Sequence, residues 1–374
     1  MSQRDTLSKA TRLVVKVGSA LLTDDGLGLN AQFILKLASQ ISELRAKGVD
    51  VVLVSSGSIA AGLASLKIER RPTQVNVLQA GAAVGQASLI RHYQDSFAPH
   101  NVMIAQVLLT HADIANRERY LNARNTFTSL LELGVVPIVN ENDTVATEEI
   151  CFGDNDSLAA LVGNLIDAQA LLLLTDQDGL YTADPRTQNN AELVSDAVAG
   201  DESLLSMATG GSSLGRGGMV TKLQAATIAA RSGAATVIAN GRVDDVITRV
   251  LAGESIGTFL RASDRMPSRK QWMANQMRIS GAVVIDSGAV KVLTGSGRSL
   301  LPVGVTSVEG EFERGSLVVV KDPQGREIGR GLINYSSKRA SSICGLSTQE
   351  VRLQYGELSE AEMIHRDHLV ILEK

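Results

Sequence analysis

The sequence predicts an α/β protein built on a doubly wound, mainly parallel sheet, followed by a small C-terminal β barrel. Three observations lead to this reading. Short, unbroken apolar runs alternate with stretches of helical periodicity, the order expected of βαβ units. Aromatic residues are only 3% of the 374, while Ala, Leu, Val and Gly dominate, which suits helices layered on a sheet. Beyond Ser263 the pattern changes to short β-like runs broken by glycine.

The strands come first. "RLVVKVG" (12–18), "DVVLVSSG" (50–57), "VMIAQVLL" (102–109), "GVVPIVN" (134–140), "ALLLLTD" (170–176) and "ATVIANG" (235–241) are apolar on both faces, as buried parallel strands are. Helical stretches lie between them. "NAQFILKLASQISELRAKG" (30–48) opens on an Asn cap, repeats apolar residues at helical spacing and closes on Gly. "RERYLNARNTFTSLLELG" (117–134) and "GGMVTKLQAATIAARSG" (217–233) repeat the pattern. Open sheets of this kind bind ligands beyond the carboxyl ends of their strands, so the loops after each strand carry the information.

The charged, proline-containing stretch "SDRMPSRKQWMANQMR" (263–278) reads as a linker. "GAVVIDSGAVKVL", "SLLPVGVTSVEGEF" and "GSLVVVKDPQGREIGRGLINYS" then read as the strands of the barrel. The expected division is residues 1–262, a linker at 263–279, the barrel at 280–360 and a C-terminal tail at 361–374.

Composition excludes several classes. The net charge is −4, and from Asn275 onward basic and acidic residues balance at 12 each, so neither part has the basic surplus that a nucleic-acid partner asks for. The opening residues lack an apolar signal core, and the longest apolar runs are far short of a membrane span; a cytoplasmic protein with no membrane partner is expected. The two cysteines, Cys151 and Cys344, make neither a disulfide framework nor a metal-ligand spacing.

No Walker A pattern and no GxGxxG occur, yet three glycine-bearing turns follow strands. Lys16 sits inside "LVVKVGS", where its ammonium either finds an anionic partner or snorkels to solvent from an edge strand. "VSSGSIAAG" (54–62) is either an anion site on a helix N-terminus or an ordinary Ser-capped helix. "GGSSLGRGGMVTKLQAA" (210–226) feeds a helix carrying Lys222. It is either a phosphate cradle, with Arg216 adding charge, or a surface loop with a solvated lysine. Opposite these stands "NENDTVATEEICFGDNDSLAA" (140–160), with six carboxylates and no Lys or Arg. Acids this dense repel one another unless cations neutralise them. They are suited to binding an amino group, holding Mg²⁺ or pinning the two lysines, and "GDND" (153–156) also makes a helix cap. "QAGAAVGQASLIRHY" (79–93) either shapes a pocket or is a small-residue helix packed closely on a neighbour.

Taken together and in order, "VVKVGS" (14–19), "SSGSIAAG" (55–62), "LNARNT" (121–126), "NENDTVAT" (140–147), "FGDNDSLAA" (152–160), "LLLLTDQDGLYTADPR" (171–186) and "GGMVTKLQAA" (217–226) resemble the amino acid kinase family. The likeness is to its branch acting on glutamate; "NENDTVAT" and the C-terminal region disfavour the branches acting on acetylglutamate, aspartate, carbamate or uridylate. The C-terminal barrel resembles a PUA domain. The resemblance implies the amino acid kinase fold, ATP and Mg²⁺ as cofactors, and phosphorylation of the side-chain carboxylate of L-glutamate, the first step of proline biosynthesis. It implies that Lys16, Lys222 and Asp156 are catalytic, with Asp156 holding both lysines. It places Ser56, Asp143, Asn155 and Asp154 on the substrate. It places Lys16, Thr175, Asp176, Arg216, Gly217, Gly218, Met219, Val220, Thr221 and Lys222 on ATP; the sequence itself offers no dedicated all-protein metal cage. Proline as feedback inhibitor, transfer of the product to glutamyl phosphate reductase, and a homo-oligomer (dimer or tetramer) are implied as well. Two departures stand out: Arg216, where relatives often carry a small or hydroxyl residue, and Cys151, where some carry lysine.

Overall fold

The structure, a computed structural model, describes residues 3–23, 28–145, 155–188, 190–209, 218–262, 279–296, 298–355 and 361–371. It divides into two compact units, Met1–Asp264 and Arg265–Lys374.

In the first unit, β1 (Arg12–Val17), β2 (Asp50–Ser55), β3 (Ile104–Leu109), β4 (Val136–Glu141), β5 (Ala170–Thr175), β6 (Asp196–Val198), β7 (Ala235–Asn240) and β8 (Thr258–Arg261) form one sheet in the order β3-β4-β2-β1-β5-β7-β8-β6. Neighbours are parallel except β7 with β8. The doubly wound, mainly parallel sheet expected from the apolar runs is thus present. The runs do not anticipate β6 and β8, which at 3 and 4 residues are too short to show a period.

The helices follow their local signals. α1 (Ser19–Leu22) is a single turn leaving β1. α2 (Ala31–Ala46) starts where the Asn30 side chain accepts from Phe33 N at 2.8 Å, and it buries Ile34, Leu37, Ala38, Ile41 and Leu44. α3 (Ser58–Ser65) and α4 (Val75–Phe97) cross at glycines. A Cβ on Gly62 would overlap the Gly81 carbonyl, and one on Gly85 would overlap the Ser58 carbonyl. The small residues of 79–93 therefore do permit backbone contact, the close-packing alternative for that stretch. α5 (His111–Ala115) and α6 (Arg117–Glu132) lie between β3 and β4. α7 (Asp156–Leu165) precedes β5, while α8 (Glu202–Thr209) and α9 (Gly218–Ala230) precede β7. α10 (Val246–Leu251) precedes β8.

Each face of the sheet has its own core. Along β1, Leu13, Val15 and Val17 belong to the core shared with α2 and α4. Val14 belongs to the opposite core, shared with α7 and α9. Side chains alternate along a strand, so Lys16 is directed to the face of Val14, toward α7 and α9. Among the described residues no helix is long and apolar enough to cross a membrane.

In the second unit, β9 (Gly281–Ile285), β10 (Val305–Glu309), β11 (Leu317–Lys321), β12 (Glu327–Leu332) and β13 (Leu369–Ile371) form a sheet in the order β10-β9-β11-β12-β13. α11 (Ser287–Ser296), α12 (Ser337–Ile343) and α13 (Thr348–Tyr355) belong to the same unit. The run "GAVVIDSGAVKVL", read from sequence as β-like throughout, is strand only in its first half. Asp286 accepts from Ala289 N at 2.7 Å and so starts α11. The segment read as a C-terminal tail supplies β13, which pairs with β12 through Gly329–Gly331, and buries Met363 and Ile364. The linker at 263–278 lies outside the described residues.

Candidate active site

Lys16 is 3% exposed, and its strand lies between β2 and β5 rather than at an edge. The snorkelling alternative is therefore closed off, and the ammonium needs a partner inside the protein. Its Nζ lies 2.5 Å from Oδ1 of Asp156, the first residue of α7, which is 0% exposed. The other oxygen, Oδ2, accepts from Lys222 Nζ at 2.9 Å. Lys222 stands on the second turn of α9, is 8% exposed, and also donates to Gly218 O at 3.2 Å. Thr221 Oγ1 donates to the same Asp156 oxygen at 3.2 Å. One carboxylate thus holds two ammonium groups, brought in by β1 and α9. Asp156 also sits on the positive end of α7, where an anion is favoured.

Both lysines line a cavity of about 680 Å³ at the carboxyl ends of β1 and β5. Gly18, Thr175 and Asp176 line it too, as do Gly218 and Met219 at the start of α9. Toward its rim, Asp184 is held below the ordinary carboxylate range by hydrogen bonds from the Arg186 side chain and backbone, and the same pairing raises Arg186. Burial first, and then the charge of Asp178, raise the Tyr181 phenol.

A second cavity, of about 230 Å³, adjoins the first: Ser19, Ala20 and Ser56 line both. Its wall is the first turn of α3 with Asn140, Glu141, Asp143 and Asn155. Gly57 enters α3 at φ +94°, a left-handed conformation that glycine adopts without strain. Ser58 Oγ donates to Asp143 Oδ2 at 3.0 Å. Asn155 Nδ2 donates to Ser55 O at 2.6 Å and to Asn140 Oδ1 at 2.7 Å. Asn140 Nδ2 in turn donates to Gln86 Oε1 at 2.8 Å on α4. The helix over 79–93 therefore also braces this pocket, and both alternatives for that stretch hold. Behind it, Tyr93 shares a 2.9 Å hydrogen bond with Ser55, and burial raises its phenol well above the usual range.

The structure brings Lys16, Asp156 and Lys222 together and sets Thr175, Asp176, Gly218, Met219 and Thr221 around the larger cavity. Val220, half-buried in α9, is not among the residues lining it. Ser56, Asp143 and Asn155 line the smaller cavity. Asp154, Arg216, Gly217 and Cys151 lie outside the described residues. Sequence reasoning named no role for Asn140, Glu141, Gln86 or Arg71, though all border the smaller cavity or its support. For Asn140 and Glu141 a signal existed: two polar residues end the apolar strand "VVPIV" at its carboxyl end.

The chain matches the amino acid kinase family over residues 11–240, more than half its length. It belongs to the amino acid kinase family. The C-terminal unit matches the PUA domain over residues 281–353. The chain is 56% identical over 374 residues to "Glutamate 5-kinase" of Ralstonia nicotianae, covering 100% of both chains. It is 56% identical over 371 residues to "Glutamate 5-kinase" of Burkholderia ambifaria, covering 99% of this chain and 100% of that one. Among solved structures it is similar to UMP kinase from Bacillus anthracis, at 17% identity and a TM-score of 0.48 over 69% of this chain and 98% of that one. The amino acid kinase match spans every residue of the Lys16–Asp156–Lys222 cluster and both cavities.

Proposed function

We propose that this chain transfers the γ-phosphoryl group of ATP to the side-chain carboxylate of L-glutamate, giving L-glutamyl 5-phosphate and ADP, the first step of proline biosynthesis. The observation that carries the reading is the pair of adjoining cavities, one of nucleotide size and one of amino-acid size, with Lys16 and Lys222 held on Asp156 in the larger. The relatives named glutamate 5-kinase supply the identity of the acceptor.

The acceptor carboxylate is already ionised at neutral pH, so the reaction needs no general base. It needs two anions brought into line and their charge cancelled. A carboxylate oxygen of glutamate forms the new bond to the γ-phosphorus as the bond to the bridging oxygen of ADP breaks. Lys16 and Lys222 face the charge on the transferring group. Asp156 fixes both ammonium groups and keeps them from repelling each other. Thr175, Asp176 and the start of α9, Gly218 to Lys222, meet the nucleotide, together with Arg216 and Gly217. Ser56 and the amides of α3 receive a carboxylate of the substrate, and Asp143 with Asp154 meets its ammonium. Asn155 shapes the pocket between them.

Among the described residues no group of three or more His, Cys, Asp or Glu side chains is placed to hold a metal ion. Mg²⁺, which ATP chemistry implies, would add charge neutralisation to the phosphates when bound. Feedback by proline, delivery of the labile acyl phosphate to a reductase, a cytoplasmic setting and a homo-oligomer belong to the same reading.

The test traps the acyl phosphate with hydroxylamine in the presence of ATP. L-Glutamate, L-aspartate and N-acetylglutamate are compared. Hydroxamate from L-glutamate alone supports the proposal; preference for another acid would keep the kinase and reassign the smaller cavity.

A further inference from the structure

The smaller cavity contains a cation that no motif announces. Arg71 lines it and is the only Lys or Arg doing so among the described residues. It lies in the connection between α3 and α4, beyond the C-terminal end of α3. Yet its companions in the cavity, Ser58, Ile59 and Ala60, form the first turn of that helix. An eight-residue helix rises about 12 Å, so the chain after Ser65 doubles back along it. Lys67, at φ +57°, lies in that turn. Pro72 follows Arg71 and biases it toward an extended conformation. The Arg71 side chain is exposed and has no ion-pair or hydrogen-bond partner among the described residues. An arginine carried back to a cavity and left without a partner there is available to a ligand.

Charge decides which part of the ligand it meets. Among the described residues, the other ionisable side chains lining the cavity are Glu141 and Asp143, both acids. They suit an ammonium and repel carboxylates. An amino acid with two carboxylates that delivers one of them toward Lys16 and Lys222 leaves its α-carboxylate in this acidic wall. The amides of α3 alone offer it partial charge; a guanidinium offers a full charge and a bidentate fork.

We propose that Arg71 is the receptor for the α-carboxylate of the acceptor amino acid, and so a determinant of acceptor specificity. This rests on the function proposed above. Because the pairing is made in ground state and transition state alike, its loss falls on KM for the acceptor and not on kcat.

The experiment measures hydroxamate formation by the full chain carrying Arg71→Gln or Arg71→Lys, with L-glutamate and with its α-carboxamide, isoglutamine. Isoglutamine is read as a substrate or, where it is not turned over, as a competitive inhibitor. In Arg71→Gln, KM for L-glutamate is expected to rise about tenfold or more, the scale of one charge-assisted hydrogen bond, with kcat and KM for ATP within about twofold of wild type. Arg71→Lys recovers part of the loss, and the constant for isoglutamine stays unchanged in both variants. A KM for L-glutamate within about twofold of wild type in Arg71→Gln, or an equal rise for isoglutamine, overturns the assignment. Absence of product from L-glutamate with wild type overturns the proposed function itself, and the two failures are told apart by that control.

Discussion

Lys16 and Lys222 each contact a separate oxygen of the one buried carboxylate of Asp156, at 2.5 and 2.9 Å. Two ammonium groups this close repel each other, and the charge of Asp156 offsets that repulsion. Asp156→Asn keeps the size of the side chain and removes its charge. It leaves two buried cations without their anion, so a loss of about 3–5 kcal/mol in stability is expected. Urea unfolding followed by circular dichroism checks it. Phosphoryl transfer should fall with it, by about 100-fold or more, since both lysines lose their anchor. A variant as stable as wild type would mean that the ion pairs are not formed in solution.

Gly85 reaches the smaller cavity only through the backbone of Ser58, which lines it. A methyl group there meets the Ser58 carbonyl, and Ser58 holds Asp143. Gly85→Ala must push α3 away from α4, an overpacking expected to cost about 1–3 kcal/mol. Because α3 walls the smaller cavity, KM for the acceptor is expected to rise more than KM for ATP. Equal changes in both, measured in one set of steady-state assays, would separate the helix crossing from acceptor binding.

Asp113 gives the acid limb of stability a specific contributor. Burial pushes its carboxyl up, but hydrogen bonds from the Thr110 hydroxyl and backbone, with Arg119 at 2.8 Å, outweigh this and hold it below the usual value. A carboxyl depressed in the folded state stabilises the fold above its unfolded pKa of about 4, and that contribution is lost as pH falls through the lower folded value. Asp113→Asn should therefore be less stable than wild type at pH 7. The gap in unfolding midpoint should close as pH drops below about 4. A gap independent of pH would assign the effect to the capping geometry of Thr110 rather than to charge.

Much of the site was legible because chemistry and local pattern agree there. A lysine in an apolar strand breaks a simple rule, an acid at the start of an Ala-rich helix obeys one, and the two prove to be partners. Whether Lys16 was buried depended on strand order, since β1 is central only through its pairing with both β2 and β5. Such non-local pairing leaves no mark in "LVVKVGS" itself. Arg71 and Gln86 were not legible for the same reason: one is carried by a returning connection, the other by a helix crossing at glycines. The misread half of "GAVVIDSGAVKVL" shows the converse. Val and Ile suggested strand throughout, but the Asp286 cap, a single side-chain hydrogen bond, starts α11 inside the run.

The measurement that bears most directly on the account is ATP-dependent formation of glutamyl hydroxamate by wild type and by Lys222→Ala. Lys222 is expected to act on the transferring phosphoryl group, so the variant should lose about 100-fold or more in kcat while L-glutamate still binds. Turnover by Lys222→Ala within about tenfold of wild type would contradict the role given to the Lys16–Asp156–Lys222 cluster.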